Sequence, residues 1–217
     1  MKAVGFKTSL PIKEEGSFIE FETTKPTPGA NELLVKIMAV SINPVDYKIR
    51  ENSAKNIVLE TPKIIGWDAA GIVEAIGDKV QLFKVGDKVF YAGDITKQGC
   101  NAEYQIIDER IVGKKPSSLS YEAAAAIPLT GLTAWEILFD RIRISPEKDK
   151  GKSILIIGGA GGVGSVAIQL AKKVAGLQVI ATASRPESIE WCKQLGADVV
   201  VNHKDLISEV RNAGFQQ

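Results

Sequence analysis

The spacing Gly159-x-Gly161-x-x-Gly164 has a direct chemical meaning. Glycine at these positions allows a tight turn at Gly159 and close approach of backbone to a pyrophosphate at Gly161. At Gly164 it lets a helix pack close to a strand, with the helix's N-terminal N–H groups facing the anion. The chemistry is dinucleotide binding. The flanking elements are those the chemistry needs. Ile154 to Ile157 reads as a buried parallel strand, and Val163 to Val174 repeats with a helical period. A glycine-rich turn alone says little, whereas strand, turn and helix in this order say more. No Gly-Lys-Ser/Thr follows, which excludes a P-loop.

The next strand, Gln178 to Ala183, bears on which dinucleotide. About twenty residues beyond the last glycine, an acidic residue would bind the free ribose 2′-hydroxyl of NAD. Ser184-Arg185 stands there instead. A hydroxyl beside a planar, permanently charged guanidinium suits a 2′-phosphate. The expected cofactor is NADP(H); a solvated arginine capping a loop is the alternative.

These residues need a scaffold, and the bulk numbers bound it. A chain of 217 residues holds one large or two modest domains. With 27 basic against 26 acidic residues the net charge is +1, so there is no electrostatic case for nucleic acid or an anionic membrane. The lysine-broken N-terminus lacks a signal-peptide core, and no apolar run reaches the length of a membrane span. Cys100 and Cys192 are far apart, which argues against a disulfide framework and for a cytoplasmic location.

Two textures divide the chain. Up to about residue 115 short strands alternate with turns, at 3–6, 18–22, 33–42, 71–76, 88–91 and 102–107, which reads as a mainly β domain. Asn43, Asp46 and Tyr47 fall on the turn after the long strand. Ser120-x-x-Ala123 opens an alanine-rich helix, and Pro128 breaks it before 129–140 resumes. After the polar connector 145–152 comes βαβαβα: strand 153–157, helix 162–175, strand 178–183, helix 186–195, strand 198–201 and helix 204–213. A complete doubly wound fold has six parallel strands. Only the first half is legible here, and Gln216-Gln217 gives no sign of a natural domain ending. The expectation is a C-terminally incomplete chain whose first strand lies at an open edge.

Six segments in order carry a family resemblance: Ser41-Ile-Asn-Pro-Val-Asp-Tyr-Lys-Ile-Arg50, Gly66-Trp-Asp-Ala-Ala-Gly71, Gly86-Asp-Lys-Val-Phe90, Ala126-Ile-Pro-Leu-Thr-Gly131, Gly158 to Gly164, and Gly196-Ala-Asp198. Together they resemble the medium-chain dehydrogenase/reductase superfamily, in its zinc-type alcohol dehydrogenase-like and zinc-free quinone oxidoreductase branch. The resemblance implies an α/β chain. A GroES-like catalytic β domain (1–126) would precede the first half of a Rossmann domain (127–217), a truncated doubly wound parallel sheet. It also implies a homodimer for the full-length parent.

The departures from that family matter. Zinc-dependent relatives hold the metal with cysteine, histidine and cysteine; here Asn43 and Trp67 stand at the first two positions and Ala126 near the third. Tryptophan and alanine cannot serve as ligands, the cysteine-rich structural lobe is absent, and no metal is expected. By resemblance, Asn43, Tyr47 and Thr130 face the nicotinamide, Tyr47 through a hydroxyl able to orient or polarise a carbonyl. A packing role between strand and helix for Tyr47, and the role of an ordinary N-terminal helix residue for Thr130, stay open. Gly159, Gly161, Gly162, Val163 and Gly164 would hold the pyrophosphate, and Ser184 and Arg185 the 2′-phosphate. His203 would lie near the adenosine phosphate or simply face solvent. The relatives' phosphate-binding lysine is Ser188 here, so Arg185 must compensate. No tyrosine begins Tyr-x-x-x-Lys, which excludes a short-chain reductase. The implied activity of the parent is NADPH-dependent hydride transfer to a small-molecule quinone or α,β-unsaturated carbonyl. The alternative is a truncated, non-catalytic fragment that binds NADP(H) weakly or not at all.

Overall fold

The computed structural model describes residues 1–215; Gln216 and Gln217, where the sequence suggested an unnatural ending, lie outside them. Two compact units divide the chain, Met1–Leu129 and a second that begins at Thr130.

In the first unit, β1 (Lys2–Phe6), β2 (Ile19–Glu22) and β4 (Lys63–Ile64) form a three-stranded sheet in the order β2-β1-β4. Five more strands form an antiparallel sheet in the order β7-β3-β5-β6-β8. They are β3 (Glu32–Ser41), β5 (Asp68–Ile76), β6 (Lys88–Ala92), β7 (Tyr104–Asp108) and β8 (Gly113–Lys114). The core of that sheet takes Leu33, Val35, Ala69, Val73, Val89, Tyr91 and Ile107. β3 and β5 pair from Leu33↔Ile76 to Ser41↔Asp68, with irregularities after Leu34 and Ile37. β5 thus begins earlier than the expected residue 71, and Asp68 is its first residue. A bridge joins Ala3 to Ala102, close to the Lys2 N–H bond to Glu103.

The turn expected after the long strand is instead a helix, α1 (Pro44–Ser53). Its start is chemically encoded. Asn43 is the N-cap, Pro44 supplies a preset φ at the first helical position, and Asp46 accepts the Asn43 backbone N–H at 2.6 Å. Its residues are mostly polar, and the buried ones are Asp46 and Arg50, so hydrophobic periodicity gives no signal for it. The guanidinium of Arg50 reaches the carbonyls of Leu10 and Ser17 and fixes the loop between β1 and β2. The alanine-rich helix, α2 (Tyr121–Ala125), is capped by the Ser120 hydroxyl on the Ala123 N–H; Pro128 then opens α3 (Pro128–Trp135), which runs on as a π-helical stretch, Glu136–Arg141.

The second unit carries a parallel sheet of β9 (Ser153–Ile156), β10 (Gln178–Thr182) and β11 (Val199–Val201) in the order β11-β10-β9. The helices are α4 (Gly162–Lys173), α5 (Pro186–Leu195) and α6 (Leu206–Asn212), the last preceded by a 3₁₀ turn at His203–Asp205 that replaces the first turn of the expected helix 204–213. Ile168, Ala171, Val179, Ala181 and Cys192 fill the core between helices and sheet. The buried strand is β10. The reading of 154–157 as a buried strand is corrected: β9 has β10 on one side only among the described residues, and Leu155 and Ile157 are 40% and 62% exposed. An apolar run fits a buried strand only when both edges and both faces are covered, and for β9 they are not.

Candidate cofactor-binding and active-site elements

The turn between β9 and α4 is built by four glycines in four ways. The left-handed backbone belongs to Gly158, with φ 69°, and not to Gly159, to which the sequence reading gave the tight turn. Gly159 is needed for close approach: a Cβ there would lie 2.8 Å from the Ala181 Cβ and 3.0 Å from the Cys192 Sγ. At Gly164 a Cβ would sit 2.4 Å from the Gly158 carbonyl oxygen, so glycine lets the first turn of α4 close onto the loop. Gly161 is the exposed N-cap of α4, and its N–H turns back to the Gly158 carbonyl at 2.9 Å. Ser165 makes the first helical bond, to the Gly161 carbonyl. The N–H groups of Gly162, Val163 and Gly164 therefore stand at the open end of the helix without intrahelical acceptors, an arrangement that attracts an anion.

Thr182, which sequence reasoning did not single out, fixes this turn from β10. Its hydroxyl accepts the Gly158 N–H at 2.8 Å and its carbonyl accepts the Gly159 N–H at 3.0 Å. Nothing in its type or spacing announces this; the bond spans 24 residues. Ser165, on the first turn of α4, accepts the indole N–H of half-exposed Trp191 from α5 at 2.9 Å.

Ser184 and Arg185 are exposed just beyond β10, and Arg185 is the N-cap of α5. Its guanidinium is already engaged, with Glu187 at 3.3 Å and with the Ser188 hydroxyl at 3.4 Å. Ser188 thus stands beside Arg185. His203 is exposed at the start of the 3₁₀ turn after β11. Thr130 packs toward the glycine turn: a Cβ on Gly162 would lie 3.0 Å from the Thr130 methyl carbon.

Asn43 and Tyr47 belong to the first unit. Asn43 is buried, and its side-chain amide donates to the Asp68 carboxylate at 2.8 Å. The other Asp68 oxygen accepts the Leu129 N–H at 2.8 Å. Burial pushes the Asp68 carboxyl up to about 6, against the hydrogen bonds from Asn43 and Leu129. Burial likewise raises Asp46, whose Oδ1 has no hydrogen-bond partner among the described residues. The Cys100 thiol is pushed up to about 12 by burial and by the Asp46 carboxylate. Tyr47, in contrast, is 58% exposed on α1. Asn43 thus has its donors committed inside the unit, while the Tyr47 ring faces outward.

The donor set does not fit a catalytic zinc. The Asn43 amide nitrogen faces Asp68, and Trp67 is buried with its indole N–H on the Asp94 carbonyl at 3.1 Å. No group of three His, Cys, Asp or Glu side chains suited to a metal ion occurs among the described residues. Both cysteines are free and buried, and no helix of the described residues is long and apolar enough to cross a membrane.

Residues 29–117 match the alcohol dehydrogenase GroES-like domain, and residues 162–215 match the zinc-binding dehydrogenase family. A zinc-type alcohol dehydrogenase-like protein of Staphylococcus epidermidis is 51% identical over 96% of this chain and 61% of its own length. An NADPH-dependent alkenal/one oxidoreductase of Arabidopsis thaliana is 36% identical over 85% of this chain and 48% of its own. Among solved structures, one titled a putative zinc-dependent alcohol dehydrogenase of Rhizobium etli is 51% identical, with a TM-score of 0.92 over 99% of this chain and 62% of the other. The Escherichia coli quinone oxidoreductase complexed with NADPH is 28% identical, with a TM-score of 0.77 over 99% of this chain and 63% of the other. The chain belongs to the medium-chain dehydrogenase/reductase superfamily. It spans about six-tenths of the length of the first relatives it matches.

Proposed function

We propose that this chain belongs to an NADPH-dependent oxidoreductase that passes hydride to a quinone or an α,β-unsaturated carbonyl without zinc. The observation that carries the reading is the β9–α4 turn, whose outward N–H groups at Gly162, Val163 and Gly164 offer a diphosphate seat. Gly159 and Gly161 give that seat its shape, and Ser184 with Arg185 supplies the hydroxyl and guanidinium for a 2′-phosphate. His203, exposed beyond β11, is assigned to the adenosine end. The quinone and alkenal/one activities named for relatives support the acceptor class.

A bound nicotinamide supplies the hydride. The protein's part is orientation and electrostatics. Thr130, against Gly162, is assigned to the nicotinamide end of the seat, and the exposed Tyr47 hydroxyl to the acceptor's carbonyl oxygen. Asn43 caps the helix that carries Tyr47. With asparagine and tryptophan at the first two ligand positions and alanine near the third, the chain offers no Lewis acid to polarise a simple ketone. Conjugated acceptors, which take hydride more readily, are favoured accordingly.

The test is titration of the 217-residue chain with NADPH and NADH, followed by consumption of reduced nicotinamide with a simple quinone and a simple enone. Preference for NADPH with turnover of either acceptor supports the reading; equal curves for the two cofactors overturn the NADPH assignment. A second reading, nucleotide binding without turnover, is favoured by the one-sided pairing of β9, which leaves the strand entering the glycine turn braced on one edge only among the described residues. Binding without any turnover selects it.

A further inference from the structure

We infer that Thr182 is a positioning residue for the cofactor's diphosphate: by taking two successive amides of the glycine turn, it aims the free end of α4 at the anion. The inference rests on the nicotinamide-cofactor reading above. Thr182 is the last residue of β10 and is 3% exposed. Its hydroxyl holds the Gly158 N–H at 2.8 Å and its carbonyl holds the Gly159 N–H at 3.0 Å. The Gly161 N–H is spent on the Gly158 carbonyl at 2.9 Å. Three amides of the turn are thereby engaged, and those of the first helical turn, Gly162 to Gly164, stand without intrahelical acceptors, ready for a ligand.

The hydroxyl is the removable part of this clamp. The carbonyl bond to Gly159 survives any substitution at 182, and Gly159 is further seated by its close approach to Ala181 and Cys192. The bond to Gly158 depends on the side chain. Gly158 is exposed and a Cβ there would meet nothing within 4 Å, so the hydroxyl is the side-chain tie between it and β10. Without that oxygen the Gly158 peptide turns toward water. The Gly158 carbonyl belongs to the next peptide, whose Gly159 N–H stays on the Thr182 carbonyl; freeing the Gly158 N–H loosens the Gly158 dihedrals between the two peptides, and with them the Gly161 N–H contact just before the helix begins. Anion binding by aligned amides is lost by small rotations of those amides, because the hydrogen bonds weaken steeply off axis.

Valine and serine separate this role from packing. Thr182→Val keeps the β-branched shape that suits a buried strand and deletes the oxygen. Thr182→Ser keeps the oxygen and deletes the methyl. If Thr182 only packs, serine is the harmful change and affinity follows stability. If it positions the turn, valine is the harmful change and affinity departs from stability.

The experiment measures, for the unmutated chain and both variants, the melting temperature and the Kd of three ligands: NADPH, ADP-ribose, and adenosine 2′-monophosphate, which lacks a diphosphate. The expected result is that Thr182→Val weakens NADPH and ADP-ribose by about ten-fold, the loss of one good hydrogen bond, and leaves adenosine 2′-monophosphate and the melting temperature near their original values. Thr182→Ser keeps diphosphate affinity while melting lower. Unchanged ADP-ribose affinity in Thr182→Val, or a parallel loss of all three ligands with melting temperature, overturns the inference. Binding of ADP-ribose without adenosine 2′-monophosphate by the unmutated chain overturns the NADPH reading and leaves the role of Thr182 standing. No binding of ADP-ribose by the unmutated chain overturns both. Amide hydrogen exchange needs no variant: the Gly158 and Gly159 amides should exchange slowly in the free protein, and those of Gly162 to Gly164 only after ADP-ribose binds. A Gly158 amide that exchanges as fast as Gly162 in the free protein overturns the inference even if Thr182→Val does not fold.

Discussion

Asp68 and Leu129 are joined by a 2.8 Å hydrogen bond across 61 residues of sequence, and the second oxygen of the same carboxylate holds the side-chain amide of Asn43. One buried side chain thus ties the start of β5 to the cap of α1 and to the first turn of α3. Neither bond is visible in the sequence, because each joins residues that only the folded sheet brings together.

Removing that fully buried carboxylate should be costly. Asp68→Ala strands the Asn43 amide and the Leu129 N–H, at roughly 1–3 kcal/mol for each unsatisfied group; Asp68→Asn keeps one acceptor and should cost less. Asp68 also gives a signed pH dependence. Its carboxyl lies at about 6, against 3.8 when unburied, so between these values the folded chain holds a proton that the unfolded chain has released. Its contribution to stability therefore rises as pH falls through 6 toward 4. Urea melts of the unmutated chain and Asp68→Asn across this window, compared as a difference, cancel the other carboxylates and should show that slope.

Arg185→Ala should weaken NADPH about ten-fold or more and leave NADH nearly unchanged, since a charge-assisted bond to phosphate is lost. Glu187 should act in the opposite direction. Its carboxylate pairs with Arg185 at 3.3 Å and must be displaced by a 2′-phosphate. Glu187→Gln is expected to tighten NADPH by about two- to five-fold at low salt, with the gain fading at high salt. Fluorescence titration at two ionic strengths checks both; a weaker NADH complex in Glu187→Gln would instead mark Glu187 as the ribose ligand.

The glycines should separate stability from binding. Gly159→Ala drives a methyl into Ala181 and Cys192 and should cost about 1–3 kcal/mol. Gly164→Ala, against loop backbone at 2.4 Å, should be worse. At Gly161 the nearest neighbour of an added Cβ is the Gly158 carbonyl oxygen at 3.2 Å, so Gly161→Ala should fold nearly as well and lose diphosphate affinity. Thermal melts beside ADP-ribose titration check the order.

Purified protein should carry no stoichiometric zinc by elemental analysis. The expectation rests on Asn43, Trp67 and Ala126 and on the absence of a three-ligand cluster among the described residues. One tightly held zinc per chain would require ligands not recognised here.

The Rossmann-like half was legible because glycine carries backbone information directly: a strand, three spaced glycines and a helix can adopt few other arrangements. Two parts were read wrongly for physical reasons. Helix α1 was missed because its apolar face is nearly absent, although Asn43, Pro44 and Asp46 spell its beginning. The tight turn was given to Gly159, whereas the positive φ lies at Gly158, because adjacent glycines are interchangeable in a pattern and distinguishable only by what surrounds them. Thr182 meets the glycine turn across 24 residues of sequence, a neighbour that no local pattern predicts.

The bridge from Ala3 to Ala102 sets an order of assembly. Strand β1 gains that neighbour only once about a hundred residues of chain have been made, and closing so long a loop is entropically slow compared with local pairing. In the second unit β9 meets β10 across the span from Ser153 to Gln178. Strand β1 can pair with β2 early in synthesis, whereas its contact with Ala102 must wait for a segment made much later.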